Sequence, residues 1–205
     1  MDNIKAVLFD MDWVLIDAKE WHYEALNRAL ELFWFTITRK EHEGYYDWLP
    51  TKVKLKRLTE EKGLPVSLHW FINNMKQRYT IDEIYNNSMP DFSKQIMMKK
   101  LKKKWINIAC CSNSIKNSIE IMLEKWLILN YFDLIVSADD VENAKPDPEM
   151  YLKAMKEFWV KPEETVIVED SPHGIEAARA SWAHVVIVKN SHELHSGTLS
   201  EYINI

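Results

Sequence analysis

The hydrophobic and polar positions change their spacing along the chain, and this change predicts two kinds of structure. Near the start, the continuous apolar run 6–9 ends abruptly in acidic residues, a pattern typical of a short strand buried on both faces. Between about 18 and 88, apolar residues such as Leu26 and Leu30 recur at helical spacing. We therefore predict an all-helical segment over 18–88, with a break at Pro90.

The rest of the chain alternates between helical periodicity and short apolar runs. The pattern predicts helices over 92–104, 115–125, 148–158 and 172–181, and strands over 106–111, 134–136, 165–168 and 184–188. Alternation of this kind predicts a parallel sheet that is covered by helices on both faces. The sequence thus predicts an α/β fold, with the helical segment inserted after the first strand.

Composition excludes several classes of protein. A length of 205 residues has room for one domain, or for a core with a small insertion, and 47% apolar residues suffice for a core. The formal charge of −5 argues against a nucleic-acid surface, which is usually basic. No apolar segment is long enough for a signal peptide or a membrane span. We expect a cytoplasmic monomer that binds neither nucleic acid nor a membrane.

Polar residues follow the strands at the carboxyl edge of the predicted sheet, where parallel sheets bind their ligands. They are Asp10 and Asp12 after the first strand, Ser112 and Asn113 after the second, Lys145 after the third, and Glu169 and Asp170 after the fourth. Asp10 and Asp12 are two residues apart and point the same way in an extended chain, so their carboxylates need a cation or a shared proton. Oxygen ligands of this kind suit Mg2+. Taken alone, this stretch could equally be a solvated Asp-rich turn.

In this order, the clusters resemble the four motifs of the haloacid dehalogenase (HAD) superfamily of phosphotransferases. The first motif, D-x-D-x-[TV]-[LV], is met by residues 10–15, and the second, a Ser or Thr after an apolar strand, by Ser112. The third, a lysine, is met by Lys145, and the fourth, an acidic pair, by Glu169 and Asp170. The resemblance implies a Rossmann-like catalytic core with an inserted helical cap domain. The core would comprise residues 1–17 and 89–205, and the cap residues 18–88.

The resemblance also implies a role for each residue. Asp10 is the implied nucleophile that forms an aspartyl-phosphate, and Asp12 the general acid that later serves as the base. Ser112, Asn113 and Lys145 are the implied phosphate-binding groups, and Lys145 also stabilises the charge that develops during transfer. A simple helix cap is the alternative for Ser112, and a solvated loop lysine the alternative for Lys145.

The implied cofactor is Mg2+, because the residues at the sheet edge offer hard oxygen ligands. The implied metal residues are Asp10, Asp12 through its backbone carbonyl, Glu169 and Asp170. Glu169 either binds the ion directly or supports a residue that does.

Within the family, the chain resembles the branch that contains phosphoglycolate-type phosphatases, sugar phosphatases and beta-phosphoglucomutase. His22 stands where the mutase and several sugar phosphatases carry a histidine, and a helix-surface histidine is the alternative. Trp48, Thr51 and Lys52 lie in the loop that is implied to contact the substrate. The mutase has an arginine for a second phosphate at this loop, and Thr51 stands in that place here, which disfavours the mutase.

We predict a Mg2+-dependent phosphatase that hydrolyses a small phosphorylated metabolite, such as a sugar phosphate, through an aspartyl-phosphate. A mutase similar to beta-phosphoglucomutase is the first alternative. A HAD-like protein with impaired catalysis, which binds phosphorylated metabolites, is the second. Trp13 and Trp48 favour it, because both are expected near the pocket, whereas the four intact motifs oppose it.

The chain has 9 tryptophans and only 4 glycines. Five tryptophans follow predicted helices at the position where a left-handed residue, usually glycine, often ends a helix: Trp34, Trp105, Trp126, Trp159 and Trp182. Trp13 lies in the tight turn after the acidic pair. We interpret up to eight of the nine tryptophans, all but Trp21, as occupying glycine sites. The alternative is that these helices end without a left-handed residue and that the indoles pack into the core.

Overall fold

The computed structural model describes residues 3–46 and 49–205. Contacts divide the chain into two compact units. We call Met1–Asp17 with Met89–Ile205 the core unit, and Ala18–Ser88 the helical unit. The strands are β1 (Ala6–Phe9), β2 (Asn107–Cys111), β3 (Leu134–Val136), β4 (Thr165–Glu169) and β5 (His184–Ile187). The α-helices are α1 (Lys19–Glu31), α2 (Arg39–Glu41), α3 (Thr51–Lys62), α4 (His69–Asn87), α5 (Phe92–Lys103), α6 (Lys116–Lys125), α7 (Glu149–Phe158) and α8 (Pro172–Ala180).

The core unit is built on a parallel sheet with the strand order β3-β2-β1-β4-β5. β1 is the central strand, and its Leu8 lies opposite Ala109 of β2 and Ile167 of β4. All of β1 is buried, as expected for an apolar strand that is covered on both faces. The predicted α/β fold is confirmed, and the carboxyl ends of β1, β2 and β4 lie side by side.

The helical unit has an apolar core of its own. α1 packs along α4, and Leu30, Leu58 and Ile72 are fully buried in this core. The buried side chain of Asn27 accepts a hydrogen bond from the N–H of Ile37 at 2.8 Å and donates one to its carbonyl at 2.9 Å. Asn27 therefore fixes the loop that follows α1. The role of this unit as a cap domain stays a prediction.

The segment after this loop is helical but irregular. Thr38 caps α2, and the Glu41 carboxylate accepts a hydrogen bond from the N–H of Thr38 at 2.7 Å, which completes a capping box. The π-helix His42–Tyr46 then follows. None of the helices in the described parts of the chain is both long and apolar enough to cross a membrane.

Several helices end in a tryptophan with left-handed backbone geometry. The φ angles are 60° at Trp34 after α1, 60° at Trp105 after α5, 55° at Trp159 after α7 and 65° at Trp182 after α8. At the end of α7, the N–H of Trp159 donates to the carbonyl of Lys156 and the N–H of Val160 donates to that of Met155. This pair of hydrogen bonds typically surrounds a glycine. The residue that ends α3 with a left-handed backbone is a glycine, Gly63, with a φ of 72°.

The structure confirms the left-handed geometry at four of the five helix ends, and Trp13 has a φ of 66°. The packed-indole alternative is wrong for these four helix ends, because their tryptophan side chains are 85–94% exposed. Trp48 lies outside the described residues, and Trp70 lies within α4.

The prediction is wrong for Trp126, whose φ is −82°. The left-handed residue at the end of α6 is the next one, Leu127, with a φ of 56°. The reason is the register of the helix end. The buried Ile128 donates its N–H to the carbonyl of Leu123, which places Leu127, and not Trp126, at the left-handed position.

Candidate active site

Asp10 is the first residue after the central strand, and the sheet fixes its position. Its N–H donates to the carbonyl of Val168 in β4 at 3.0 Å, which extends the strand ladder by one residue. The chain then turns, and the N–H of Trp13 donates to the carbonyl of Ile16 at 2.6 Å. Within this turn, Asp12 accepts a hydrogen bond on Oδ2 from the hydroxyl of Ser114 at 3.3 Å. The turn thus holds the two aspartates at the carboxyl edge of the sheet.

Lys145 is the centre of a buried hydrogen-bond network. Its Nζ donates to Asp10 Oδ1 at 2.5 Å, to Glu169 Oε1 at 2.6 Å and to the carbonyl of Cys111 at 2.8 Å. Burial alone lowers the pKa of the ammonium group, but the charges of Asp10 and Glu169 outweigh burial and raise this pKa. Lys145 therefore keeps its positive charge beside Asp10, which excludes the solvated loop lysine.

Asn113 holds the backbone of Lys145. Its Oδ1 accepts from the N–H of Lys145 at 3.0 Å, and its Nδ2 donates to the carbonyl of Lys145 at 3.4 Å. The side chain of Asn113 is thus engaged with the lysine loop, and phosphate binding through this side chain stays a prediction. Ser112 is buried, and its hydroxyl accepts from the N–H of Ser114 at 3.1 Å. This is a local turn contact that lies before α6. The N-cap residue of α6 is Ile115, with no side-chain cap hydrogen bond, so Ser112 does not cap that helix.

Glu169 is completely buried at the end of β4 and accepts hydrogen bonds on both oxygens. Oε1 accepts from Lys145 and from the hydroxyl of Tyr151, and Oε2 accepts from the N–H of Asp170 at 3.0 Å. Gly174 in α8 lies against this carboxylate, and a Cβ atom at position 174 would overlap it. A glycine is therefore required there for Glu169 to keep its position.

Three carboxylates of the site lie close enough to share one cation. An oxygen of Asp10, one of Glu169 and one of Asp170 all lie within 4.8 Å of one another. Neither buried oxygen of Asp170 accepts a hydrogen bond from the described part of the chain. The pKa of Asp170 is raised to about 9 by burial and then by the charges of Asp10 and Glu169. Burial, and to a lesser degree the charges of Glu169 and Asp12, likewise raise the pKa of Asp10, against the lowering effect of Lys145.

These observations fit a hard divalent cation. Three carboxylates and the ammonium group of Lys145 leave two negative charges without compensation, and such a site gains most from a divalent ion with oxygen ligands. The carboxylate of Asp12 is not a member of this group, so a contribution from Asp12 through its backbone carbonyl stays a prediction.

The predicted substrate residues belong to the helical unit. His22 lies on α1, with its Nδ1 3.2 Å from Nζ of Lys76 on α4. Thr51 and Lys52 open α3, Thr51 partly buried and Lys52 exposed, and Trp48 lies outside the described residues. Contact between these residues and substrate stays a prediction.

Sequence reasoning missed three residues of the site: Ser114, Tyr151 and Gly174. Ser114 directly follows Asn113 after the second strand, so its position in the sequence indicates that it lies at the same edge of the sheet. Nothing in the periodicity distinguishes Tyr151 from any other buried residue of α7.

Comparisons with known proteins show which family the chain resembles. The family model for haloacid dehalogenase-like hydrolases matches residues 7–188. The phosphorylated carbohydrates phosphatase of Thermotoga maritima is 28% identical over 191 residues, which are 87% of this chain and 82% of that protein. Pyrophosphatase PpaX of Halalkalibacterium halodurans is 26% identical over 186 residues, 91% of this chain and 84% of that protein. The crystal structure of beta-phosphoglucomutase from Clostridium difficile shares the fold, with a TM-score of 0.81 and 24% identity over 97% of this chain and 96% of that chain.

Proposed function

Because the chain belongs to the haloacid dehalogenase-like hydrolase family, we propose that it is a Mg2+-dependent phosphatase that acts through a phosphorylated Asp10. Family membership and the phosphatase relatives make it a phosphoric monoester hydrolase. We propose a small phosphorylated metabolite, such as a sugar phosphate, as the substrate. The observation that carries the proposal is the buried pair of Asp10 and Lys145 at the end of the central strand, beside the Asp170 carboxylate, which accepts no hydrogen bond from the described residues.

In the first step, a carboxylate oxygen of Asp10 attacks the phosphorus atom of the monoester. The bond from phosphorus to the ester oxygen breaks, and the leaving oxygen takes the proton of the Asp12 carboxyl group, so that a neutral alcohol departs. Lys145 keeps its proton and places positive charge where the phosphoryl oxygens arrive at Asp10. The product of this step is Asp10 with a phosphoryl group on one oxygen.

In the second step, water attacks the phosphorus atom of phosphorylated Asp10. Asp12 takes a proton from this water, the bond between Asp10 and phosphorus breaks, and inorganic phosphate leaves. Asp10 is again a carboxylate and Asp12 again carries a proton, so the cycle closes. The Ser114 hydroxyl, which donates to Asp12 Oδ2, holds the carboxyl group of Asp12 in place for both transfers.

Asp10 and Asp170, with the backbone carbonyl of Asp12, are the proposed Mg2+ ligands. When bound, Mg2+ supplies positive charge that offsets the repulsion between the site carboxylates and the oxygens of the substrate. Burial and the neighbouring carboxylates raise the pKa of Asp10 and of Asp170, which supports the need for a cation among these carboxyl groups.

Removal of metal with EDTA is expected to stop the hydrolysis of p-nitrophenyl phosphate, and excess Mg2+ is expected to restore it. The physical reason is the mutual repulsion of Asp10 and Asp170, which the ion relieves. Release of p-nitrophenol, followed by absorbance, is the measurement, and EDTA saturated with Mg2+ beforehand is the control. Full turnover in metal-free buffer contradicts the metal assignment. A protein that binds phosphate but shows no turnover with Mg2+ supports the impaired binding protein instead.

Phosphatase and mutase activity differ in the fate of the phosphoryl group. Incubation with a panel of sugar monophosphates is expected to release inorganic phosphate without any added bisphosphate. The reason is that Thr51 stands in the predicted second-phosphate loop where the mutase has an arginine. Phosphate assays and phosphorus NMR of the same samples distinguish the products. Conversion of one sugar phosphate into its isomer, without phosphate release, contradicts this expectation.

A further inference from the structure

Tyr151 of α7 has no role in the four sequence motifs, yet it contacts both partners of a buried ion pair. Its side chain is completely buried, and its hydroxyl donates to Glu169 Oε1 at 2.5 Å. Nζ of Lys145 donates to the same oxygen at 2.6 Å and lies 4.9 Å from the centre of the Tyr151 ring. One carboxylate oxygen is thus shared between a neutral donor and a charged one.

Glu169 has little freedom to respond to a change at this shared oxygen. Its other oxygen, Oε2, accepts from the N–H of Asp170 at 3.0 Å and from the hydroxyl of Ser171 at 3.3 Å. Gly174 closes the space on another side of the carboxylate. A change in the charge that Oε1 presents is therefore passed on to its movable partner, the long side chain of Lys145.

Lys145 has two competing acceptors. Its Nζ lies 2.5 Å from Asp10 Oδ1 and 2.6 Å from Glu169 Oε1. A hydrogen bond from Tyr151 reduces the negative charge with which Glu169 attracts the ammonium group. Without that hydrogen bond, Glu169 attracts Lys145 more strongly, and Asp10 loses part of the positive charge beside it.

We infer that Tyr151 is a positioning residue, which keeps Lys145 directed at Asp10 by donating its hydroxyl to Glu169. The inference rests on the proposed function, in which Lys145 binds the phosphoryl oxygens at Asp10. It also assigns Glu169 a role other than metal binding: Glu169 accepts a hydrogen bond from Lys145 and holds its side chain, whereas Asp10 and Asp170 would hold the ion.

Tyr151→Phe tests the inference, because it removes the hydroxyl and keeps the ring beside Lys145. We expect a kcat about tenfold lower and a dissociation constant for inorganic phosphate about tenfold higher, as is typical for a lost hydrogen bond to a charged group. The Mg2+ concentration for half-maximal phosphate binding is expected to change much less than the phosphate dissociation constant, since the side chains of Asp10 and Asp170 are kept. Calorimetric titration with inorganic phosphate, repeated over a series of Mg2+ concentrations, gives the phosphate dissociation constant and the Mg2+ requirement without requiring turnover.

Thr165→Val is the matched control. Thr165 is completely buried at the opposite end of β4, and its hydroxyl donates to the carbonyl of Lys161 at 2.9 Å. The substitution removes one buried hydroxyl of the same unit, so it is expected to lower the melting temperature while phosphate affinity stays at the wild-type value. If the role of Tyr151 is merely structural, Tyr151→Phe is also expected to lower the melting temperature and to leave phosphate affinity at the wild-type value.

The outcomes separate the inference from the proposed function. Wild-type hydrolysis with an unchanged phosphate dissociation constant in Tyr151→Phe overturns the inference and leaves the function standing. A changed Mg2+ requirement with unchanged phosphate affinity also overturns it, because Glu169 then acts on the metal. If the wild-type protein hydrolyses no monoester but Tyr151→Phe still weakens phosphate binding, the proposed function is contradicted and the inference about Tyr151 is supported. A wild-type protein that neither hydrolyses monoesters nor binds phosphate overturns both.

Discussion

Asp10→Asn is expected to abolish turnover, with a loss of at least about 10⁴-fold in kcat, as is typical when an enzyme loses its nucleophile. An amide has the shape of the carboxylate but cannot form the covalent intermediate. The fold is expected to remain intact, because the amide oxygen can still accept from Lys145 and because a neutral side chain next to Glu169 and Asp170 removes repulsion. Turnover is measured with p-nitrophenyl phosphate, and folding is checked by circular dichroism and melting temperature.

Asp12→Asn is the companion variant, since Asp12 is assigned to proton transfer and not to bond formation. We expect a loss of about 10²–10⁴-fold, the usual contribution of a general acid or base. Asp10 of this variant is still expected to bind beryllofluoride, which mimics the phosphoryl group. Wild-type activity in Asp10→Asn shows that the nucleophile is another residue.

Replacement of Trp34, Trp105, Trp159 and Trp182 by glycine is expected to raise the melting temperature by on the order of 10 °C. A left-handed residue with a side chain costs roughly 1–2 kcal/mol. The greater freedom of glycine in the unfolded chain offsets part of the gain, which leaves about 1 kcal/mol per site. The four sites end different helices and are expected to act additively. Because their indoles are 85–94% exposed, little packing is lost. Calorimetry of the single and combined variants is the measurement.

The end of α6 supplies the internal control. Trp126 has a negative φ, so Trp126→Gly is expected to lower the melting temperature, whereas Leu127→Gly at the left-handed position is expected to raise it. A fall in melting temperature for all of the tryptophan replacements contradicts the glycine-site interpretation. Peptide mass spectrometry of the protein from its own cells identifies the residue present at each position, because a codon assigned to tryptophan in one genetic code can be read as glycine in another.

The strands and the edge where their polar residues gather could be predicted from the sequence. β1 is predicted over 6–9 and found at Ala6–Phe9, because a buried parallel strand needs a continuous apolar run. The order of strands and helices then brings Asp10, Lys145 and Glu169 to one edge, where they lie within hydrogen-bond distance. The left-handed helix ends could also be predicted, since they follow from local hydrogen bonding after the last helical turn.

Contacts between distant parts of the chain could not be predicted in this way. Helical periodicity places Tyr151 on the buried face of α7, but it does not say that the hydroxyl reaches a carboxylate at the end of β4. The sequence likewise does not indicate that the side chain of Asn113 holds the backbone of Lys145, a contact between residues 32 positions apart. Phosphate binding by Asn113 stays a prediction. The one-residue error at Trp126 arose because the buried Ile128 sets the register of that helix end.

The most direct test of the central claim is the mass of the peptide that contains Asp10 after reaction. Asp12→Asn is suited to it, because the leaving group departs as the p-nitrophenolate anion and needs no proton, while the hydrolysis of phosphorylated Asp10 lacks its base. After reaction with p-nitrophenyl phosphate and Mg2+ and an acid quench, the peptide is expected to carry one phosphoryl group, which mild base removes. The same peptide from the variant with Asp10→Asn added is expected to carry none. Rapid release of p-nitrophenol with no phosphoryl group on this peptide, or with the group on another residue, contradicts the account.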